Sequence, residues 1–351
     1  MNNAENNFFN TVVSEELVDE IKRIKIELSE NTEKEAVNFI FVTDMHIDTA
    51  QSKDNYELIL DTLKYACFIA DTTKEIDFLV LGGDCITGWF DKARAKEGIE
   101  AVVNAVAKCQ KPVVSVSGNH DNNSNPTTKD NPLEQFSKKE LKDIMLKPFE
   151  GRGYAYDDRV NDGHYYYLDL HEKKTRVICL DAYSSAEMLQ TQAKWLAQKA
   201  LSIKDENWRY VVVLHLPLDK RYEVDGLPCL CADMRNILKA FNSKTVAVCS
   251  FGECDFSDYK SSIISCSSGH CHNSIVEFNP EYGLFVSVTG CAGVVGKGEF
   301  KNTSSDDLPD GSRFSMNNSQ KNRYLFDIFS VCGNSFKRIR FGNGSDKYIV
   351  K

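Results

Sequence analysis

The sequence has no apolar run approaching the ~18 residues needed to cross a bilayer. Its first twenty residues, MNNAENNFFNTVVSEELVDE, lack a basic segment followed by an apolar one. Neither a membrane span nor a secretory leader is expected, and the default location is cytoplasmic. Positive charge is also short, with 42 Lys and Arg against 51 Asp and Glu and a formal net charge of −9. A broad nucleic-acid or anionic-membrane footprint needs a clustered excess of Lys and Arg, so neither partner is expected, although a local basic pocket is compatible with the total. No internal repeat and no convincing linker divides the 351 residues, and no feature sets an oligomeric state. With 42% hydrophobic residues, a chain of this length can bury a substantial core.

Cysteine is plentiful, at 12 residues, yet a secreted disulfide framework does not follow. Many cysteines lie inside apolar runs, such as Cys67 in KYACFIA and Cys179 in RVICLDA, as reduced buried thiols do. Cys229 and Cys231 in LPCLCAD have half the spacing of a soft-metal site but no matching second pair.

The apolar spacing alternates between two periods. In residues 14–30, Leu17, Ile21, Ile24 and Leu28 recur at helical spacing, predicting a leading amphipathic helix. Then come VNFIFVT (37–43), a helix with Tyr56, Leu60, Leu63, Cys67 and Ala70 on one face, IDFLVLG (76–82), a helix over about 92–109, and PVVSVS (112–117). Strands alternating with helices indicate β-α-β units. A Lys-rich helix near 134–147, the pair HYYYLDL and TRVICLD, a helix around Trp195, and WRYVVVLHLP (208–217) follow. The last third reads as short strands (TVAVCS, SSIISCSS, NSIVEF, GLFVSVTG, YLFDIFSV, FKRIRF), with Gly333-Asn334 as a hairpin signal. Residues 216–235 and the Asn/Ser/Asp-rich 301–321 are expected as loops or insertions.

Histidine is scarce, at seven residues, and its placement is uneven. His46, His120, His215, His270 and His272 all follow predicted strands; only His164 and His171 do not. Asp44, Asp84 and Asn119 occupy similar strand ends. Any one of these is ordinary, since Asp and Asn cap turns and a lone His usually satisfies a hydrogen bond. Together they are not ordinary, because ligand sites in α/β sheets gather at the carboxyl ends of strands. The i, i+2 spacing of Asp44 and His46 also allows both side chains to share one face of a strand. The glycines beside them (Gly82, Gly83, Gly118, Gly269) suit any sharp turn and do not discriminate.

In order, the chain reads D-M-H (44–46), G-G-D (82–84), G-N-H-D (118–121), a single His (215) and G-H-C-H (269–272). This series resembles the calcineurin-like metallophosphoesterase superfamily, whose signature is D-x-H, G-D, G-N-H-D/E, H, G-H-x-H. The resemblance implies an α/β fold, a four-layer α/β/β/α sandwich, with residues 1–35 as a helical flank, 36–300 as the metallophosphoesterase domain, and 301–351 as a loop and β-hairpin completing it. It implies two metal ions, one held by Asp44, His46 and His272, the other by Asn119, His215 and His270, with Asp84 bridging. His120 matches the catalytic histidine that is not a ligand, with Asp121 beside it as its orienter. Carboxylate, amide and imidazole donors suit Mn, Fe or Zn, and admit Ni or Co. The implied reaction is phosphoester hydrolysis by a water ionised between the ions, with His120 as general acid.

The departures narrow the substrate class. The Ser/Thr protein phosphatases of the superfamily carry G-D-x-V-D-R-G and G-N-H-E; here GDCITGW and GNHD stand instead, without the phosphate-gripping arginine. His215 is followed by Leu216 rather than a second histidine. The acidic balance disfavours the DNA-processing members. A small-molecule phosphodiester or nucleotide is the expected substrate, with a phosphomonoester as alternative and a nuclease or non-catalytic scaffold behind both. RFGNGSD (340–346) resembles an ending of bacterial and phage-type relatives, and Arg340 is not assigned to substrate.

Overall fold

In the computed structural model, residues 14–31, 33–47, 53–124, 130–159, 163–181, 185–219, 221, 230–292, 324–342 and 344–351 are described. Strand β1 (Val37–Val42) is buried on both faces. That is the pattern of a parallel strand covered on each side. Phe39 and Phe41 point into one core, Ile40 and Val42 into another, as period-2 alternation requires. β2 (Phe78–Leu81) and β3 (Val113–Ser115) run parallel beside it. On its other side stand three C-terminal strands, β13 (Leu325–Cys332), β14 (Ser335–Gly342) and β15 (Lys347–Val350), all antiparallel to their neighbours. The six-stranded order is β15-β14-β13-β1-β2-β3.

A second sheet has the order β11-β12-β10-β7-β6-β5-β4. Its parallel centre is β6 (Thr175–Cys179), β7 (Arg209–Val213), β10 (Ser262–Ser268) and β12 (Leu284–Val288). Antiparallel strands flank it: β4 (Ala155–Tyr156) and β5 (Tyr166–Leu170) on one side, β11 (Ile275–Asn279) on the other. A separate ribbon pairs β8 (Val246–Cys249) with β9 (Gly252–Asp255).

Three cores join these parts. Phe39, Phe78, Val114, Val177, Val211 and Phe285 fill the space shared by the two sheets; the Phe39 and Phe78 rings stack at 4.8 Å. The first sheet's other face packs on helices α1 (Glu15–Asn31), α2 (Lys53–Thr72), α3 (Lys92–Val106) and α4 (Lys138–Met145). The second sheet's other face packs on α5 (Ala186–Trp195) and α6 (Ala232–Ser243). The leading helix lies as its spacing predicts, with Leu17, Ile21, Ile24 and Leu28 all buried. The stripe of α2 is rotated from the expected one. Ile59, Leu63, Ala66 and Ala70 form its buried spine, while Tyr56, Leu60 and Cys67 are only partly covered. The helix touches both the sheet and α3, so its apolar surface is wider than one stripe.

The expected loop 216–235 is partly helix, because α6 starts at Ala232, with Met234, Ile237, Leu238 and Phe241 buried at helical spacing. Residues 220, 222–229 and the whole of 301–321 lie outside the described residues. Among the described residues no helix is long and apolar enough to cross a membrane, and the eleven described cysteines are free thiols.

The C-terminal hairpin braces the rest of the chain. Asp327 and Arg340 are cross-strand partners, fully buried, and joined by a 2.6 Å hydrogen bond from Arg340 Nε. Arg340 Nη2 also donates to Ser274 Oγ at 2.7 Å, two residues beyond His272. Arg340 is therefore a structural residue. Arg340→Met leaves the Asp327 charge buried beside only Arg338, at 3.9 Å, and is expected to cost about 3–5 kcal/mol of stability. Urea unfolding checks this; a loss below about 1 kcal/mol would show that the pair does not brace the sheet.

Candidate metal centre

Five parallel strands send their carboxyl ends to one rim. Asp44 and His46 follow β1, Asp84 follows β2, Asn119 and His120 follow β3, His215 follows β7, and His270 and His272 follow β10. Residues up to 226 apart in sequence thus meet: His46 Nε2 and His272 Nε2 are 3.0 Å apart. His272 Nε2 is 3.2 Å from Asp44 Oδ1, and His215 Nε2 is 3.1 Å from Asp84 Oδ2. His46 and His120 both place Nε2 3.8 Å from that same Asp84 oxygen. The donor atoms of His46, Asp84 and His120 lie within 4.8 Å of one another, and so do those of Asp84, His215 and His270.

The backbone that aims them is unusual. Asp44, His46, Asp84, His270 and His272 all have positive φ, between 45° and 71°. Side-chain-bearing residues seldom adopt this region, at a cost of roughly 1–3 kcal/mol each. The i, i+2 pairs therefore do not act through a strand pleat, because β1 ends at Val42 and β10 at Ser268. Each pair sits on a left-handed turn beyond its strand. Hydrogen bonds between loops hold these turns: Asp44 N donates to the Gly83 carbonyl at 3.0 Å, His46 N to the Asp84 carbonyl at 3.0 Å, and His270 N to Asp44 Oδ2 at 3.0 Å.

Two glycines earn their place here by close approach. A Cβ on Gly118 would overlap the Asp84 carboxylate and amide, and one on Gly269 would overlap Thr43 and the Asp44 carboxylate.

Asp121 does not orient His120. Its buried carboxylate accepts three backbone N–H groups, from Asp84 at 3.0 Å, Cys85 at 2.7 Å and Gly118 at 2.7 Å. The His120 ring instead donates Nδ1–H to the Thr87 carbonyl at 2.7 Å. Asp121 is a clasp between the loops that carry Asp84 and Asn119, and the Thr87 carbonyl is the partner of the His120 ring that sequence reasoning missed. A backbone carbonyl leaves no residue-type signal, which is why.

Charge in the centre is tightly balanced. Burial raises Asp44, but His215 and His272 outweigh it and hold the carboxyl at about 2. Burial likewise raises Asp84, and His215 and His120 pull it well below the usual range. Burial pushes His46 down to about 3 and, with His215 adding, His270 down to about 4. His215 goes the other way: burial lowers it, yet Asp84 and Asp44 raise it to about 10. The carboxylates thus demand a positive charge among them, while His46 and His270 stay in the neutral form that ligates metals.

The donor set fits such a role. Asn119 Oδ1 and His270 Nε2 are buried and make no hydrogen bond, and buried His215 Nε2 has only the ion-pair approach to Asp84 at 3.1 Å among the described residues. The other His215 nitrogen lies 2.8 Å from the Gly82 carbonyl, so it is the donor and Nε2 faces the centre. Buried polar atoms are rarely left unpaired unless something else engages them. Of the remaining histidines, His164 is buried elsewhere and His171 lies exposed on a turn, edge-on to Trp208. Cys231 precedes α6, and Cys229 lies outside the described residues. Sequence reasoning also passed over Cys291. It follows β12, another strand end, and its Sγ lies within 4.8 Å of donor nitrogens on His46 and His272.

A model of calcineurin-like phosphoesterases matches residues 37–273. No curated protein matches the chain by sequence. Among solved structures, a dimetal phosphatase from Danio rerio is similar at 16% identity and a TM-score of 0.58, covering 90% of this chain and 98% of its own. The inner-membrane-complex anchor GAP50 of Plasmodium is 14% identical, with a TM-score of 0.46 over 89% and 90%. At these identities the first likeness speaks for the fold alone, and the second carries no argument.

The clasp is testable apart from any activity. Asp121→Asn turns an amide N–H₂ toward a backbone N–H, so at least one buried donor loses its partner, at about 1–3 kcal/mol. Thermal unfolding is expected to move down accordingly; an unchanged midpoint would mean that the three hydrogen bonds do not hold the loops.

Proposed function

The chain belongs to the calcineurin-like phosphoesterase family, and from that premise we propose that it hydrolyses a small-molecule phosphodiester or nucleotide at the rim where the five strands end. It is a metal-dependent phosphoesterase, a hydrolase. In this reading Asp44, His46 and His272 hold one cation, Asn119, His215 and His270 hold the other, and Asp84 lies between them. One observation carries the assignment: Asn119 Oδ1 and His270 Nε2, two of the three atoms given to the second cation, are buried without a hydrogen bond. When bound, such cations supply positive charge to phosphoryl oxygens and lower the pKa of water held between them. The donors suit Mn, Fe or Zn, and admit Ni or Co.

The protein's own groups divide the remaining work. Asp44 and Asp84 stay ionised, as ligands must, because neighbouring imidazoles hold their pKa values down. His46 and His270 stay neutral through burial. The His120 side chain is 23% exposed, against 6% for His46 and 14% for His272, so of these three it reaches outward most. With Nδ1–H committed to the Thr87 carbonyl, Nε2 is the atom from which the cationic ring can pass a proton to a leaving oxygen, staying neutral with Nδ1–H in place. That is general-acid work worth ~10²–10⁴-fold. The acidic balance of the chain, −9 in formal charge, supports a small substrate over nucleic acid, which needs an extended basic track. The free thiols suit a reducing compartment such as the cytoplasm.

Activity after loading with Mn, Ni, Zn or Fe, on bis-p-nitrophenyl phosphate and p-nitrophenyl phosphate, tests the reading and ranks diester against monoester. Inactivity on both would favour a non-catalytic scaffold. Asp84→Asn is expected to remove most bound metal, and two ions retained on elemental analysis would refute the bridging role. His120→Ala is expected to lower turnover ~10²–10⁴-fold with metal content close to wild type; a parallel loss of metal would count against its role as acid.

A further inference from the structure

We propose that Cys291 supplies a sulfur ligand to the cation held by His46 and His272, which makes that half of the centre a thiophilic site. The inference rests on the two-cation reading above and adds a donor of a different class to one half of it.

Cys291 is fully buried and lies three residues beyond β12, which runs parallel to β10 and opens on the same rim. Two consecutive residues there are tied to the first ligand loop. Ala292 N donates to the Thr43 carbonyl at 3.0 Å, and Cys291 Sγ donates to the Asp44 carbonyl at 2.9 Å. The thiol is therefore fixed beside Asp44 by the backbone as well as by its own hydrogen bond. Its sulfur and one nitrogen each from His46 and His272 all lie within 4.8 Å of one another. Metal–nitrogen and metal–sulfur bonds of roughly 2.0–2.3 Å place two donors of one ion at most about 4.4 Å apart, close to the span already present.

The neighbouring half offers an amide, two imidazoles and a carboxylate, with no sulfur among them. Soft thiolate beside two imidazoles favours Zn, Co or Fe(II), whereas the half without sulfur tolerates Mn. The two positions are then chemically unlike, and a mixed-metal occupancy follows. When the bond forms, the S–H bond breaks, the sulfur pair goes to the cation, and the proton leaves to solvent.

If the thiol is only a hydrogen-bond donor to Asp44, serine replaces it without consequence for the metal. That difference sets the experiment. Chelated full-length protein is reloaded with Co(II) and compared with Cys291→Ser. Near-ultraviolet absorption reports sulfur-to-cobalt charge transfer, and cobalt K-edge X-ray absorption on the wild type counts sulfur neighbours with no variant needed. The expected result is one sulfur per two cobalt ions in the wild type and loss of the charge-transfer band in Cys291→Ser. Affinity for Zn is expected to fall about ten-fold or more in that variant, and affinity for Mn less than about two-fold. Two cobalt ions bound with no sulfur neighbour, or a band unchanged in Cys291→Ser, would overturn the proposal and leave the two-cation reading standing. If the wild type binds no cobalt, or Asp84→Asn binds as much as wild type, the two-cation reading fails and the sulfur ligand fails with it.

Discussion

Two carboxylates, Asp44 and Asp84, are buried to 0% and 1% exposure at the ends of adjacent parallel strands, and the centre is organised around neutralising them. An ionised carboxylate taken out of water costs several kcal/mol unless opposite charge repays it. Five imidazoles surround the pair, yet burial drives His46 and His270 away from protonation. His215, pinned through Nδ1 by the Gly82 carbonyl, is drawn toward the cationic form. Two buried carboxylates so close together call for positive charge between them, and cations of higher charge supply it more fully. The same constraint explains why the neutral histidines are set between the acids rather than facing solvent.

Such a cluster persists only if the chain is held in conformations it would otherwise leave. Five candidate ligand residues at positive φ, at roughly 1–3 kcal/mol each, are a strain that the surroundings must offset. The offset comes from backbone hydrogen bonds between loops and from Asp121, whose carboxylate gathers the amides of Gly118, Asp84 and Cys85. The pairing of Gly and Asp in GNHD then has a joint reason. Gly118 lets the loop approach Asp84 without a Cβ, and Asp121 locks that approach. Asn119 and His120, between them, are left to face the centre. Farther out, Arg340 ties Ser274 to the first sheet through Asp327, so the loop carrying His272 is anchored from both sheets.

Most of this was legible in the sequence because it rests on residue type and strand-end position. Asp44, His46, Asp84, Asn119, His120, His215, His270 and His272 could be read as one set, and the structure brings the side chains of all but Asn119 within a few ångströms of one another, with Asn119 buried on the same loop as His120. The alternating apolar runs likewise marked β1, β2, β3, β7 and β10. What was not legible falls into three physical kinds. Backbone partners carry no residue signal, so the Thr87 carbonyl was invisible as the partner of the His120 ring and Asp121 was misread as its orienter. Left-handed backbone at non-glycine residues is set by tertiary contacts, so Asp44 and His46 looked like a strand pair when they are a turn. Residue types with a dominant bland use hide their exceptions: Cys291 ends a strand as the histidines do, but among twelve cysteines nothing in its neighbours singled it out. α6 was lost for a related reason, since its apolar spacing begins inside a stretch that otherwise reads as loop.

The acidity of the whole chain, −9 in formal charge, and the phosphoester hydrolysis proposed for its centre are compatible because the two charges would act over different distances. Two divalent ions against two carboxylates would leave about two positive charges inside the cavity, where low dielectric strengthens every interaction. The surface excess of acid is screened beyond about 8 Å at physiological ionic strength, so it does not cancel that local field. A small phosphoester fits within the local field and gains from it. A polymer would extend its further phosphates past the screening length onto an acidic surface and gain nothing there, because polymer affinity accumulates from many cationic contacts. In the two-cation reading proposed above, the charge that would attract a reacting phosphate would therefore also favour a small carrier over a polymer.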